Sequence, residues 1–320
     1  EMEEIWYPKH LSLEQCSSEI TARYKARLFQ GDSLIDLTGG FGIDCSFLAT
    51  GFKSATYVER QEELCEIAAH NFPVLNLNHI NVRNEDGVAY LQTMSPVDCI
   101  FLDPARRNEH GGKTVSIADC EPNVAELEDL LLSKASRIMI KLSPMLDLSL
   151  ALKELKHTQE VHILSVNNEC KELLILLGQT SPAEIAIHCV NLFTKGTQEE
   201  QHFVFTREQE QRSQCTYTDS LGDYLYEPNA SLLKAGAFRS IAAAYPVRKL
   251  HPNSHLYTSD TFIENFPGRI FRIVNQCSFN KKEVKENLAD LKKANVTVRN
   301  FPATVAELRK RLHLTEGGDT

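Results

Sequence analysis

Residues 33–48 read SLIDLTGGFGIDCSFL, and the order of residue types in them decides how the first part of the chain folds. Leu34, Ile35 and Leu37 form a short apolar run around Asp36, Thr38-Gly39-Gly40-Phe41-Gly42 turns the chain, and Asp44 to Ala49 returns to helix-forming residues. Strand, glycine turn, helix is the sequence of a unit that aims backbone N–H groups and a positive helix end at the carboxyl edge of a sheet. An anionic or zwitterionic ligand fits such a place. A nicotinamide fingerprint needs G-x-G-x-x-G directly after the strand, whereas this turn opens with a carboxylate and reads D-x-T-G-G-x-G, so a phosphate cradle is the weaker reading. The competing reading of these residues alone is a tight corner without a ligand.

Three hundred and twenty residues suggest two domains. An apolar fraction of 42% and a charged fraction of 24% are ordinary for a globular protein and exclude a disordered or fibrous one. No apolar run approaches the roughly 18 residues of a membrane helix, since the densest, ECKELLILLG, has strand length. No secretory signal pattern opens the sequence, which begins at Glu1 and stops on GGDT, as a piece of a longer chain would, and a cytoplasmic location is the expectation. Nine cysteines form an odd set without a C-x-x-C pair, which predicts reduced, packed thiols. His251 and His255 have a metal-like spacing, but Pro252, Asn253 and Ser254 between them favour a turn, and no metal is expected. The net charge of −9 is unevenly spread. From Ala230 to Leu314 there are 15 Lys and Arg against 6 Asp and Glu, so an acidic body carries a basic appendage, compatible with a polyanionic partner or with a solvated lysine face.

Along the chain, Leu11 to Phe29 reads as a helix capped by Ser17 or Ser18, with Ile20, Tyr24 and Leu28 on one stripe. Ser54 to Val58 is a second strand ending at Glu59, 23 residues after Asp36, where a carboxylate can accept two ribose hydroxyls. His79 to Arg83 is a third strand, followed by the turn that holds Asp86. Val97 to Leu102 is a fourth, delivering Asp103-Pro104-Ala105-Arg106-Arg107 to the same edge. Uncompensated carboxylates repeated at one rim point to a site. Arg137 to Leu142 is strand five, and Glu160–Val166 with Glu172–Gly178 suits an antiparallel hairpin. Ile185–Leu192 and His202–Thr206 read as a further hairpin.

D-x-T-G-G-x-G, an acid after strand two, Asp after strand three and Asp-Pro after strand four together resemble the class I S-adenosylmethionine-dependent methyltransferases, over about Leu11 to Gly178. The resemblance implies an α/β fold, a Rossmann-like, mostly parallel sheet with a terminal antiparallel hairpin. It implies that Asp36, Thr38, Gly39, Gly40 and Gly42 hold the methionine part of S-adenosylmethionine, Glu59 the ribose and Asp86 the adenine amino group. Asp103 would be the catalytic residue facing the acceptor, with Pro104, Arg106 and Arg107 on the substrate side. Nucleic-acid methyltransferases of this class commonly carry two prolines and an aromatic after that acid; here Ala105 and Arg106 stand instead, which puts base stacking and amino-group methylation in doubt. The arginines suit a phosphate or a base face, or pair with neighbouring acids.

The polar stretch EQEQRSQCTYTDSLGD suggests a boundary, giving a methyltransferase domain over 1–218 and a smaller basic α+β domain over 219–320. In the latter, Asn229 caps an expected helix ASLLKAGAFRSIAAAY and Arg269 to Gln276 is a strand. A helix after Asn280 turns Val284, Leu288 and Leu291 inward and Lys281, Lys282 and Lys285 outward, Val296 to Arg299 is another strand, and Thr304 with Glu307 forms a capping box. EPNASLLKAGAF and LHPNSHLYTSD are similar to the ferredoxin-like and THUMP-like regions attached to certain bacterial methyltransferases, a resemblance that implies RNA, tRNA or rRNA, as partner. Methyl transfer from S-adenosylmethionine to RNA is therefore expected, with Lys281, Lys282 and Lys285 on phosphates. The alternatives are a small-molecule methyltransferase and a catalytically silent RNA-binding protein of the same fold. No membrane partner is expected, and the sequence leaves the oligomeric state open.

Overall fold

The computed structural model describes residues 4–9, 16–107 and 116–318, so the part of the first expected helix before Cys16 lies outside the described residues. The chain divides into two compact units, one made of 1–209 with 230–236, the other of 210–229 with 237–320.

In the first unit Ser18 caps α1 (Glu19–Leu28) by accepting from the Thr21 N–H. Then follow β1 (Gly31–Asp36), α2 (Ile43–Ala49), β2 (Phe52–Glu59), α3 (Glu62–Val74), β3 (Ile80–Asn84), α4 (Gly87–Thr93) and β4 (Val97–Leu102). After these come α5 (Val124–Lys134), β5 (Ala135–Leu142), α6 (Leu148–Glu154) and the strands β6 (Thr158–Val166), β7 (Glu169–Gly178), β8 (Ala186–Leu192) and β9 (Glu200–Phe205). They form one sheet in the order β9-β8-β6-β7-β5-β4-β1-β2-β3. Strands β1 to β5 run parallel, and β7 enters antiparallel to both β5 and β6. The central strands read as near-continuous apolar runs because both of their faces are covered. Ile100, Phe101, Leu102, Ile138, Met139 and Ile140 are all at most 1% exposed. This is the expected α/β sheet with its antiparallel hairpin, widened by the β8–β9 pair.

Every parallel strand delivers its last residue to one edge, and there the backbone comes close. A Cβ on Gly87, the first residue of α4, would lie 2.2 Å from the Leu37 carbonyl oxygen. Only glycine lets α4 sit against the end of β1.

In the second unit α7 (Arg207–Arg212), begun in the first, leads to β10 (Tyr224–Pro228). The helix expected after Asn229 is two helices, α8 (Ala230–Ala235) and α9 (Phe238–Ala244), because Gly236 breaks it at φ +76°. Helix α8 belongs to the first unit, where the Ser231 hydroxyl meets Ser165 at 2.6 Å, so the chain crosses between units more often than a single boundary at 219 allows. The remaining strands β11 (Arg248–His251), β12 (Ser254–Ser259) and β13 (Gly268–Arg272) join β10 in an antiparallel sheet ordered β11-β12-β10-β13. The strand expected at 296–299 does not form, since none of these four strands pairs with it. Helices α10 (Lys281–Leu288) and α11 (Val305–Leu312) have the expected caps, Asn280 on Glu283 and Thr304 with Glu307 in a capping box. Leu291, expected inward, is 49% exposed.

Replacing Gly87 by Ala forces β1 and α4 apart and should destabilise the first unit by about 1–3 kcal/mol, the usual range for overpacking. Urea unfolding checks this, and an unchanged midpoint would mean that the edge yields without cost.

Candidate active site

The glycine turn after β1 is held from three sides. The Asp36 carboxylate oxygen Oδ1 accepts from the Thr38 N–H at 3.0 Å, the Tyr57 hydroxyl donates to the Gly40 carbonyl, and Glu59 Oε2 accepts from the Gly40 N–H at 2.9 Å. Gly40 and Gly42 have φ of +55° and +86°, which glycine adopts without strain. A Cβ on Gly39 would run into the Tyr57 ring at 2.3 Å, whereas one on Gly40 would meet nothing nearer than the Thr38 carbonyl at 3.7 Å. Gly39 thus closes the turn onto β2, and Gly40 leaves its outer side open.

That open side is the floor of a groove of about 1,860 Å³. Asp36, Thr38, Gly39, Gly40, Gly42, Glu59, Asp86, Asp103, Pro104, Arg106, Arg107 and Lys141 all line it. The sheet edge therefore gathers the residues of the first unit singled out from sequence. Glu59, at the end of β2, is 9% exposed, and its oxygens take the N–H groups of Gly40 and Gln61, each at 2.9 Å. A carboxylate has about four acceptor positions, so two remain for hydroxyl donors. Asp86 caps α4, with Oδ1 accepting from Val88 and Ala89 at 3.0 Å each. Its other oxygen takes no part in that cap. Burial pushes the Asp36 carboxyl up to about 8, only partly opposed by the Thr38 N–H, so at neutral pH it is largely uncharged.

Asp103 stands at the end of β4, its N–H donating to the Thr38 hydroxyl at 2.7 Å, which couples the glycine turn to the end of β4. Its carboxylate does not stand alone. Lys141 Nζ, from the end of β5, lies 2.8 Å from Asp103 Oδ2 and 3.6 Å from Asp44 Oδ2. Lys25 Nζ, from α1 and wholly buried, lies 2.9 Å from Asp44 Oδ1 and 2.5 Å from Glu172 Oε2 on β7. Ser17 fills the gap, donating to Asp44 at 2.8 Å and lying 3.1 Å from Glu172. Burial alone would raise the Asp44 carboxyl, but Lys25 and Lys141 outweigh it and hold it low. Burial likewise opposes the charge on Lys141, yet Asp103 and Asp44 outweigh it and raise the ammonium above its usual range. Burial raises the Asp103 carboxyl, with Lys141 pulling the other way. These five charges alternate in sign from β7 to the groove. Sequence reading singled out only Asp103 among them.

Arg106 donates to the Ser143 hydroxyl at 2.9 Å and makes no ion pair among the described residues. Arg107 holds the neighbouring loop through its N–H to the Asp119 carbonyl. Both guanidinium groups are exposed at the groove. Lys281, Lys282 and Lys285 lie on α10 of the second unit, all exposed.

His251 and His255 have separate tasks: the former accepts from the Asn253 N–H, the latter stacks on Phe238 at 3.5 Å. A different group, Glu160, His162 and His188, brings its ligand atoms within 4.8 Å. The two imidazoles are stacked parallel at 4.2 Å, so their ring-plane lone pairs run side by side, and both rings reach the Glu160 carboxylate. That is the geometry of a hydrogen-bonded cluster. Cys45, Cys65, Cys99, Cys120 and Cys189 are buried free thiols, and burial pushes Cys99 up to about 11.

A family model described as protein-L-isoaspartate(D-aspartate) O-methyltransferase matches residues 8–108, one described as a ferredoxin-like domain matches 224–267, and one described as THUMP domain-like matches 268–320. No curated protein matches the chain. The crystal structure of a protein from Porphyromonas gingivalis W83, assigned as a methyltransferase, superposes with a TM-score of 0.89 at 39% identity, covering 98% of this chain and 79% of that one. Far more distant are an rRNA methylase from Streptococcus thermophilus (TM-score 0.36, 14% identity, 50% of this chain and 93% of that one) and the tRNA m1G37 methyltransferase of M. jannaschii (0.38, 12%, 51% and 49%). The identity to the Porphyromonas protein over nearly the whole chain places this protein in the same family, as a methyltransferase with ferredoxin-like and THUMP-like C-terminal segments.

Proposed function

We propose that the protein transfers the methyl group of S-adenosylmethionine to RNA, tRNA or rRNA, in the cytoplasm. The observation that carries the cofactor is the groove's charge. Glu59, Asp86 and Asp103 line it as carboxylates, and a dinucleotide pyrophosphate would face all three. A ligand with a positive sulfonium, an amino-acid end and a ribose, and with no phosphate, suits that lining. Bound there, S-adenosylmethionine supplies an electrophilic methyl group. The protein's own share is positional. The open turn at Gly40 receives the amino-acid end, the free acceptor positions of Glu59 take the ribose hydroxyls, Asp86 receives the adenine amino group, and Asp103 faces the acceptor. Arg106 and Arg107 are placed to hold acceptor phosphates.

RNA as the acceptor rests on the excess of 15 basic over 6 acidic residues between Ala230 and Leu314 and on the THUMP-like match over 268–320. We assign RNA holding to the basic region from 219 onward, with Lys281, Lys282 and Lys285 on phosphates. Not every base there is free for it: Arg309 pairs with Glu316 at 3.0 Å, and Arg311 lies over the Phe279 ring.

Two measurements test these halves separately. Glu59→Ala should weaken S-adenosylmethionine binding by about 1.5–3 kcal/mol, the range for hydrogen bonds to a charged group. Calorimetry that finds equal affinity, or no heat from S-adenosylmethionine with the unaltered protein, refutes the cofactor assignment. Changing Lys281, Lys282 and Lys285 together to Glu should weaken binding across many RNA sequences. The slope of log affinity against log salt should become shallower by about 0.7–0.9 for each lost contact. Filter binding at several salt concentrations reads this, and an identical slope removes α10 from RNA binding.

A further inference from the structure

The row of charges behind the groove bears on which atom is methylated. Its members come from four elements and the residue after a fifth: Glu172 on β7, Lys25 on α1, Asp44 on α2, Lys141 on β5 and Asp103 after β4. Glu172, Lys25, Asp44 and Lys141 have side chains at most 11% exposed, and Asp103, at 36%, is where the row opens to the groove. Holding an ammonium this deep is costly unless it is paired on both sides, and Lys141 is, by Asp103 and Asp44. A groove that needed only a carboxylate at the end of β4 would not require that cation.

The cation separates two kinds of acceptor. Transfer to an amine or ring nitrogen builds positive charge on the attacking atom, which an ammonium beside Asp103 opposes. Transfer to a hydroxyl builds negative charge on oxygen as its proton leaves, which the same ammonium stabilises. The side chains following Asp103 agree, because Pro104-Ala105-Arg106 offers no aromatic ring on which a base would stack. Inside an RNA chain the hydroxyl available at each nucleotide is the ribose 2′-OH.

We propose that the acceptor is a ribose 2′-hydroxyl of RNA, with Lys141 holding the oxygen and Asp103 taking its proton. The proposal rests on the RNA reading above and narrows it. In the step, the hydroxyl oxygen forms a bond to the methyl carbon while the carbon–sulfur bond breaks. The bonding pair stays on sulfur as a neutral thioether, and the hydroxyl proton passes to the Asp103 carboxylate and from there to water. Lys141 keeps its charge throughout. The charged and titratable groups around Asp103 are Lys141 from β5, Asp44 from α2, Lys25 from α1, Asp36 from β1, Cys16 ahead of α1 and Cys120 ahead of α5. Burial raises its carboxyl, which makes the ionised form a better proton acceptor.

The test uses the full chain, S-adenosylmethionine labelled in its methyl group, and total RNA from a strain in which the gene is deleted. A 2′-O-methyl group blocks alkaline cleavage of the following phosphodiester, so label should appear in alkali-resistant dinucleotides. Label in alkali-labile mononucleotides means a methylated base: the RNA reading stands and the hydroxyl proposal falls. Label in protein, released by base as methanol, or no label in RNA, overturns the RNA reading itself. Once the nucleotide is mapped, a synthetic RNA with a single 2′-deoxy substitution there should bind within about threefold of its parent and accept no methyl; equal methylation of both contradicts the proposal. Lys141→Met should lower the single-turnover rate by about 100-fold or more, in the range for a lost group that stabilises developing negative charge, while S-adenosylhomocysteine binding stays within about threefold. Lys141→Arg, which keeps the charge, should recover part of the rate. If both variants turn over at the parent rate, Lys141 has no part in the reaction.

Discussion

The pairing of Lys141 with Asp103 at 2.8 Å is the contact on which the groove edge at the end of β4 depends. Asp103 reaches the groove because β4 ends there, and it carries charge there because an ammonium from the neighbouring strand answers it. That ammonium is in turn answered by Asp44, Asp44 by Lys25, and Lys25 by Glu172. The row ties α1, α2, β5 and β7 to the end of β4, so the sheet order and the charge state of the site are one arrangement. Removing Lys25 would leave Glu172 buried without its ion pair, which is far more costly than losing an exposed pair.

The glycine turn meets the same row from the other side. Thr38 connects them, since its hydroxyl accepts from the Asp103 N–H and its own N–H donates to Asp36. Asp36, largely uncharged, adds little repulsion to an edge that already holds Glu59, Asp86 and Asp103. The groove is thus acidic along the glycine turn and β2, and mixed in charge at Asp103, the division that the proposed cofactor and acceptor sites require.

Much of this edge was legible in the sequence because it depends on local order. Strands β1, β2 and β3 end in a polar residue and β4 and β5 are followed at once by one, and in a parallel sheet successive strand ends fall on one side. Asp36, Glu59, Asp86 and Asp103 could therefore be placed together by counting strands. Lys25, Asp44, Lys141 and Glu172 could not. Lys25 neighbours the stripe residue Tyr24 in an amphipathic helix, Lys141 interrupts the run RIMIKL, and Glu172 opens an apolar strand, so each reads locally as an ordinary charged position. Only the crossing of β7 between β5 and β6 brings Glu172 to Lys25, 147 residues apart in sequence. In the second unit the limits are of the same kind. Val296-Thr297-Val298 alternates like a strand but finds no partner, and ASLLKAGAFRSIAAAY reads as one helix until Gly236 takes a left-handed conformation.

The measurement that bears most directly on this account is the titration of the Asp103 carboxyl carbon, followed by 13C NMR in the unaltered protein and in Lys141→Gln. If Lys141 is the group that keeps Asp103 ionised against its burial, removing the ammonium raises the folded-state pKa, and the titration midpoint moves to higher pH. A midpoint that stays where it was in a folded Lys141→Gln protein would contradict the account, because it would show that the charge of Asp103 is set without the row of ion pairs behind it.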